Sequence, residues 1–100
     1  MVEHDALKHA ASVMSSLGHE VRLSLYRTLV RSGHDGMSFQ SLVETMEVPP
    51  STLTHHLKML VASGLVTQER NGRETISRPV FDTLEGVIAY LNNECCKGFE

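Results

Sequence analysis

The sequence predicts a mainly α winged helix-turn-helix with a small β-hairpin. Three observations carry that prediction. Apolar residues recur at helical spacing in separate stretches along the chain. Pro49 and Pro50 stand directly ahead of one of these stretches, so a tight turn divides it from the stretch before. Asn71-Gly72 lies between two extended runs, "LVTQER" and "RETISR", the strongest short hairpin signal. Two short helices joined by a tight turn and followed by a two-stranded ribbon form that fold.

The elements follow in order. Leu7, Ala10, Ala11, Met14 and Leu17 make one apolar stripe on a helix over residues 5–17, stopped near Gly18. "EVRLSLYRTLVRS", from Glu20 to Ser32, is a second helix. It is apolar on more than one side, which makes it central, and Gly33 ends it. "GHDG" is a turn. Ser38 caps a short third helix that places Phe39, Leu42, Val43 and Met46 on one face. The fourth helix covers residues 50–63. Pro50 takes its first position, where a missing N–H costs nothing. Leu53, Leu57, Leu60 and Val61 form its stripe, and Gly64 closes it. The wing spans residues 65–78. Leu84, Val87, Ile88 and Leu91 stripe a last helix over residues 81–93, and residues 94–100 are a polar tail.

One hundred residues make a single small domain with 41% hydrophobic content. A core of that size is marginal, and burial in a dimer strengthens it. The stripes on the first and last helices are more than one small domain covers. Packing them across a two-fold axis buries both and sets two recognition helices about 34 Å apart, one turn of DNA. No apolar run approaches the length of a membrane span, and "MVEHDALKHA" has acids and no apolar core of a secretory signal. A cytoplasmic protein is expected. No arrangement of Ser, His and acid stands out, no phosphate-cradling glycine loop appears, and no constitutive cofactor is expected, so the chain does not read as an enzyme.

The net charge is −3, but its distribution matters more than its sum. Ser51 to Arg78 holds four cations and two anions, a net of +2, while the rest holds five cations and ten anions. Within the basic segment, Ser51, Thr54, His55 and Lys58 lie opposite the leucines. These are short donors near a helix N-terminus with a cation one turn on, which suits end-first entry into a major groove. Arg70 and Arg73 at the wing tip reach toward a neighbouring backbone or minor groove. His56 borders the apolar stripe and reads as a packed structural histidine. A winged-helix module that binds another protein is the alternative from a different class.

"LGHEVRLSLYRTL", "STLTHHLKMLVASGLV" and "RNGRET" resemble the ArsR/SmtB family of metal- and metalloid-responsive repressors. The resemblance covers residues 17–78. It implies a homodimer on double-stranded palindromic operator DNA, built from terminal helices and released when an inducer binds. By position, Ser51, Thr54, His55 and Lys58 match the family's recognition-helix contacts. Arg22 matches an arginine near the start of its second helix. Pro49 departs from the pattern, because the family often has a capping Ser or Thr there. The lost cap is worth about 1 kcal/mol. Many members carry thiol ligands on the helix before the recognition helix, and this chain has none there. Others carry Asp and His on the last helix, where this chain has Asp82 and Glu85 but no His. A zinc or nickel site of either type is therefore not expected. His4, His9, His19 and His34 show no converging spacing.

Cys95 and Cys96 remain. Neighbouring α-carbons lie about 3.8 Å apart, below the usual range for a disulfide, so an ordinary bond between them is strained. Two thiolates on one side suit a single soft centre instead. Trivalent arsenic or antimony takes three ligands, and the pair supplies two. Arsenite needs a third from water, a small thiol or a second chain, whereas carbon already holds the third position in methylarsenite. A similar cysteine pair after the last helix occurs in some arsenic-responsive relatives, so the resemblance implies a trivalent arsenical inducer. A persulfide or redox sensor using the same cysteines is the alternative.

Overall fold

The computed structural model describes residues 2–99. Five α-helices and a three-stranded sheet follow in the order α1 (Val2–Leu17), α2 (Glu20–Ser32), β1 (Met37–Ser38), α3 (Phe39–Met46), α4 (Pro50–Ala62), β2 (Val66–Asn71), β3 (Glu74–Pro79) and α5 (Phe81–Asn92), with one 3-10 turn, Gly33–Asp35, between α2 and β1. All the helices expected from the periodicity are present. The first begins three residues earlier than its apolar stripe required.

Local chemistry accounts for the boundaries. Ser38 Oγ accepts the Ser41 N–H at 3.1 Å and starts α3. α4 starts without any side-chain cap, as Pro49 requires. It ends in a Schellman pattern, with Leu65 N–H donating to Leu60 O and Gly64 N–H to Val61 O, both at 3.0 Å. Leu60 and Leu65 are both fully buried, which supplies the apolar contact that accompanies this motif.

The ribbon differs from the sequence reading in two ways. Asn71 pairs with Glu74, so the connecting residues are Gly72 and Arg73, one step later than an Asn-Gly turn. Gly72 has φ 66° while Arg73 keeps a negative φ, the sign pattern of a turn with glycine first. The hairpin also gains a third strand. Met37 and Ser38 pair antiparallel with Ser77 and Ile76, giving the order β1-β3-β2. Gly36 permits this close approach, since a Cβ there would collide with Ser77 O.

The core lies where α2, α3, α4 and the sheet meet, around Leu25, Leu29, Leu42, Leu53, Leu57, Leu60, Leu65 and Val66. α2 buries one face only, because Leu23 and Val30 are exposed. Val61 also lies outside the core, and His56 takes the inward place beside the leucines of α4.

The terminal stripes split. Ala10 and Val87 turn inward and are buried as α1 packs on α5, together with Val13, which lay outside the expected stripe, while Ala11 is exposed. Leu7, Met14, Ile88 and Leu91 turn outward and stay 50–56% exposed. Each terminal helix therefore has one apolar edge for its own core and one left uncovered. No helix among the described residues is long and apolar enough to cross a membrane.

Candidate nucleic-acid interface and thiol pair

α4 is rigidly seated by its leucines, and the opposite face carries the four residues expected to read DNA. Ser51, Thr54, His55 and Lys58 are all exposed. Arg70 and Arg73 are exposed on the wing. A cleft between α4 and the sheet is lined by Phe39, Thr54, Leu57, Lys58, Gln68 and Thr75. An adjoining cleft shares Phe39 and Thr75 and runs to Arg70 and Arg73. Helix and wing thus border one concave surface.

Ion pairing refines the charge count. Arg78 donates to Glu69 at 2.6 Å across the ribbon, and this is the ion pair among the described residues. Lys58, Arg70 and Arg73 form no ion pair among the described residues.

Behind α4, three polar contacts tie it to the rest of the chain. Ser16 Oγ donates to Met59 O at 3.1 Å. Arg22 Nε donates to Ser16 O at 2.8 Å, and its guanidinium also lies 3.3 Å from His56 Nδ1. Thr83 Oγ1, on α5, donates to Gly64 O at 2.6 Å, just past the end of α4. His56 is 6% exposed and packed, as its position in the stripe indicated. Burial pushes its pKa below the ordinary histidine value, and His19, Arg22 and His55 push the same way. The sequence reading missed His19. Its ring packs against that of His56 at a tilt of 50° with centroids 4.7 Å apart, and its Nδ1 accepts the Val21 N–H at 3.2 Å, capping α2. A histidine is not among the usual capping residues, and thirty-seven positions separate it from His56, so no local pattern announced the contact.

Cys95 and Cys96 are free and exposed on the turn that follows α5. Cys95 N–H donates to Asn92 O and Lys97 N–H to Glu94 O. Glu94 and Cys96 take φ values of 60° and 70°. In extended chain, consecutive side chains point to opposite sides. This curled backbone brings the two sulfurs to one side, 2.9 Å apart. The hydrogen bond to Cys96 raises the Cys95 thiol above its usual pKa. Among the described residues no group of three or more His, Cys, Asp and Glu side chains converges on one point.

A compact helical core, an outward-facing fourth helix and a ribbon beside it define a winged helix-turn-helix regulator. Residues 17–69 match the family described as Helix-turn-helix domain. The repressor SmtB of Mycobacterium tuberculosis is 34% identical over 74 residues, covering 74% of this chain and 53% of that protein. The chain therefore spans about half the length of that relative. A Halobacterium salinarum protein named as an arsenical resistance operon repressor, ArsR2, is 28% identical over 92% of this chain and 76% of its own length. Among solved structures, an ArsR-like transcriptional regulator from Rhodococcus sp. RHA1 superposes with a TM-score of 0.76 at 29% identity, covering 86% of this chain and 78% of that one. The chain belongs to the ArsR/SmtB family of winged helix-turn-helix repressors.

Proposed function

We propose that the chain is a cytoplasmic repressor that grips operator DNA as a homodimer and lets go when a trivalent arsenical binds Cys95 and Cys96. Two exposed thiols facing the same way, 2.9 Å apart, directly after α5, are the observation that carries the inducer reading. The DNA reading is supported by the exposed donors of α4 beside three uncompensated cations. The dimer reading is supported by Leu7, Met14, Ile88 and Leu91, four half-exposed apolar side chains on two helices packed together. The relative named for arsenical resistance is consistent with the choice of ligand.

The capture chemistry balances without any redox partner. Arsenous acid exchanges two hydroxyl groups for two thiols: two As–S bonds form, two As–O and two S–H bonds break, and two waters leave. The third position keeps its hydroxyl or takes a further thiol. In methylarsenite it is already a carbon bond, so the pair completes the site alone. Ordering of the tail then acts on α5, whose Thr83 holds the end of α4. A coupling of about 1–3 kcal/mol, a factor of roughly 5–150, releases DNA.

The test is displacement. Reduced protein bound to the duplex upstream of its own gene is titrated with arsenite, methylarsenite, zinc or a persulfide donor while DNA occupancy is followed. Release by an arsenical in the parent but not in the Cys95→Ser, Cys96→Ser chain supports the proposal. Release in both refutes the thiol site. Release by the persulfide donor alone transfers the site to sulfur sensing. Failure to bind the duplex returns the fold to the protein-interaction reading.

A further inference from the structure

His19, Arg22 and His56 meet where α1 ends, α2 begins and α4 passes, away from the residues that face DNA. A guanidinium carries only donors, so His56 Nδ1 must accept from Arg22 and its ring proton sits on Nε2. A backbone N–H likewise makes His19 Nδ1 an acceptor. Both rings are therefore engaged in their neutral form. The charged and titratable groups bearing on His56 are His19 and Arg22 from the corner between α1 and α2, and His55 from its own helix. None of them is ion-paired to a carboxylate among the described residues. Arg22 also holds Ser16 O, while Ser16 Oγ holds Met59 O one turn along α4. The corner thus latches α4 at two points, and one of them requires an unprotonated imidazole.

We propose that Arg22 is a positioning residue for the recognition helix, acting through neutral His56, so that a proton on His56 frees α4 from this corner and weakens DNA binding. The inference rests on the DNA reading above. A proton on Nδ1 removes the acceptor and sets a cation against Arg22. Burial, then His19, Arg22 and His55, lower the pKa of His56. The unfolded chain thus takes up this proton more readily than the folded one. The stabilisation is complete above the ordinary histidine value of about 6.5 and is lost as pH falls through it toward the lower folded value. His55 is exposed on the face expected to meet DNA, and its ring centroid lies 5.7 Å from that of His56.

The test replaces His55 first, so that the outward-facing imidazole does not contribute to the profile. In a His55→Gln chain, affinity for the duplex upstream of its own gene is measured at fixed ionic strength from about pH 7.5 to about pH 5.5. The expected loss is roughly five-fold or more. Adding His56→Asn, which keeps an acceptor oxygen but cannot titrate, flattens the profile. Adding Arg22→Gln flattens it too, because His56 then titrates with nothing to release. A profile unchanged by both substitutions overturns the proposal, as does a flat profile in the His55→Gln chain itself. A second arm needs no DNA: the Tm of the His55→Gln chain falls over the same range, and His56→Asn removes that fall. If the parent chain, with His55 intact, does not bind the duplex at pH 7.5, the DNA reading fails; if only the His55→Gln chains fail to bind, that reading stands, and in either case the melting arm judges the latch. A Tm fall that persists undiminished in His56→Asn and Arg22→Gln overturns the latch on its own.

Discussion

Truncating Ile88 and Leu91 to alanine should leave each protomer folded and take the dimer apart. Both side chains project from α5 into solvent, 50% and 56% exposed, while Val87 and Leu84 beside them serve the protomer's own core. Each truncation removes three carbons, worth about 2.4 kcal/mol if moved fully out of water. Half of that transfer is still outstanding in the single chain, so covering by a partner contributes about 1.2 kcal/mol per side chain. Two side chains in two copies give about 5 kcal/mol, or roughly a three-thousand-fold rise in the dimer dissociation constant. Sedimentation equilibrium over a range of concentrations reads that constant directly. Far-UV circular dichroism at the same concentrations should show unchanged helix content. A dissociation constant that moves less than about ten-fold would mean that this face is not the interface. A parent chain that is monomeric at micromolar concentration would remove the premise altogether.

Two further outcomes are expected. Lys58, Arg70 and Arg73 from two protomers offer six phosphate contacts, so the log–log slope of affinity against salt should be about −5, and the triple alanine chain should lose most of it. A slope that survives the triple substitution would place the contacts elsewhere. Capture of arsenous acid releases water and no net proton, whereas zinc must expel thiol protons. Calorimetric affinity for arsenite should therefore stay level between about pH 7 and pH 8, while that for zinc rises with pH. An arsenite affinity that climbs with pH as steeply as zinc's would contradict dithiol exchange.

Much of the fold was legible because its signals are local. Ser38, Pro50, Gly64 and the leucines of α4 each act within a few residues of their own position, and each boundary fell where they place it. The outward face of α4 was legible for the same reason, since a helix with four inward leucine and histidine positions has only one remaining side. Contacts across long separations were not. β1 is two residues long and owes its existence to β3, so it has no alternation of its own. The ribbon's register slipped by one from the Asn-Gly expectation because either pair of residues contains the glycine the turn needs. Periodicity marked the terminal helices as apolar but could not divide each stripe between its own core and an uncovered edge. Only packing shows that Val13 is fully buried while Met14 next to it is not. The tilted ring contact of His19 with His56 joins two segments that carry no shared pattern.

The fixings of α4 are unevenly spread along it. Arg22 touches it at its middle, Ser16 takes hold at Met59, and Thr83 clasps the carbonyl of Gly64 just beyond its end, while Pro49 leaves its entrance without a side-chain clasp. A tilt of α4 about these rear fastenings would act as a lever. Thirteen residues give an arm about 20 Å long. A tilt of roughly 5° would sweep the tip through about 1.7 Å and Thr54, about 12 Å from the pivot, through about 1 Å. A small displacement of the rear fastening is thereby magnified at the end that would meet the bases.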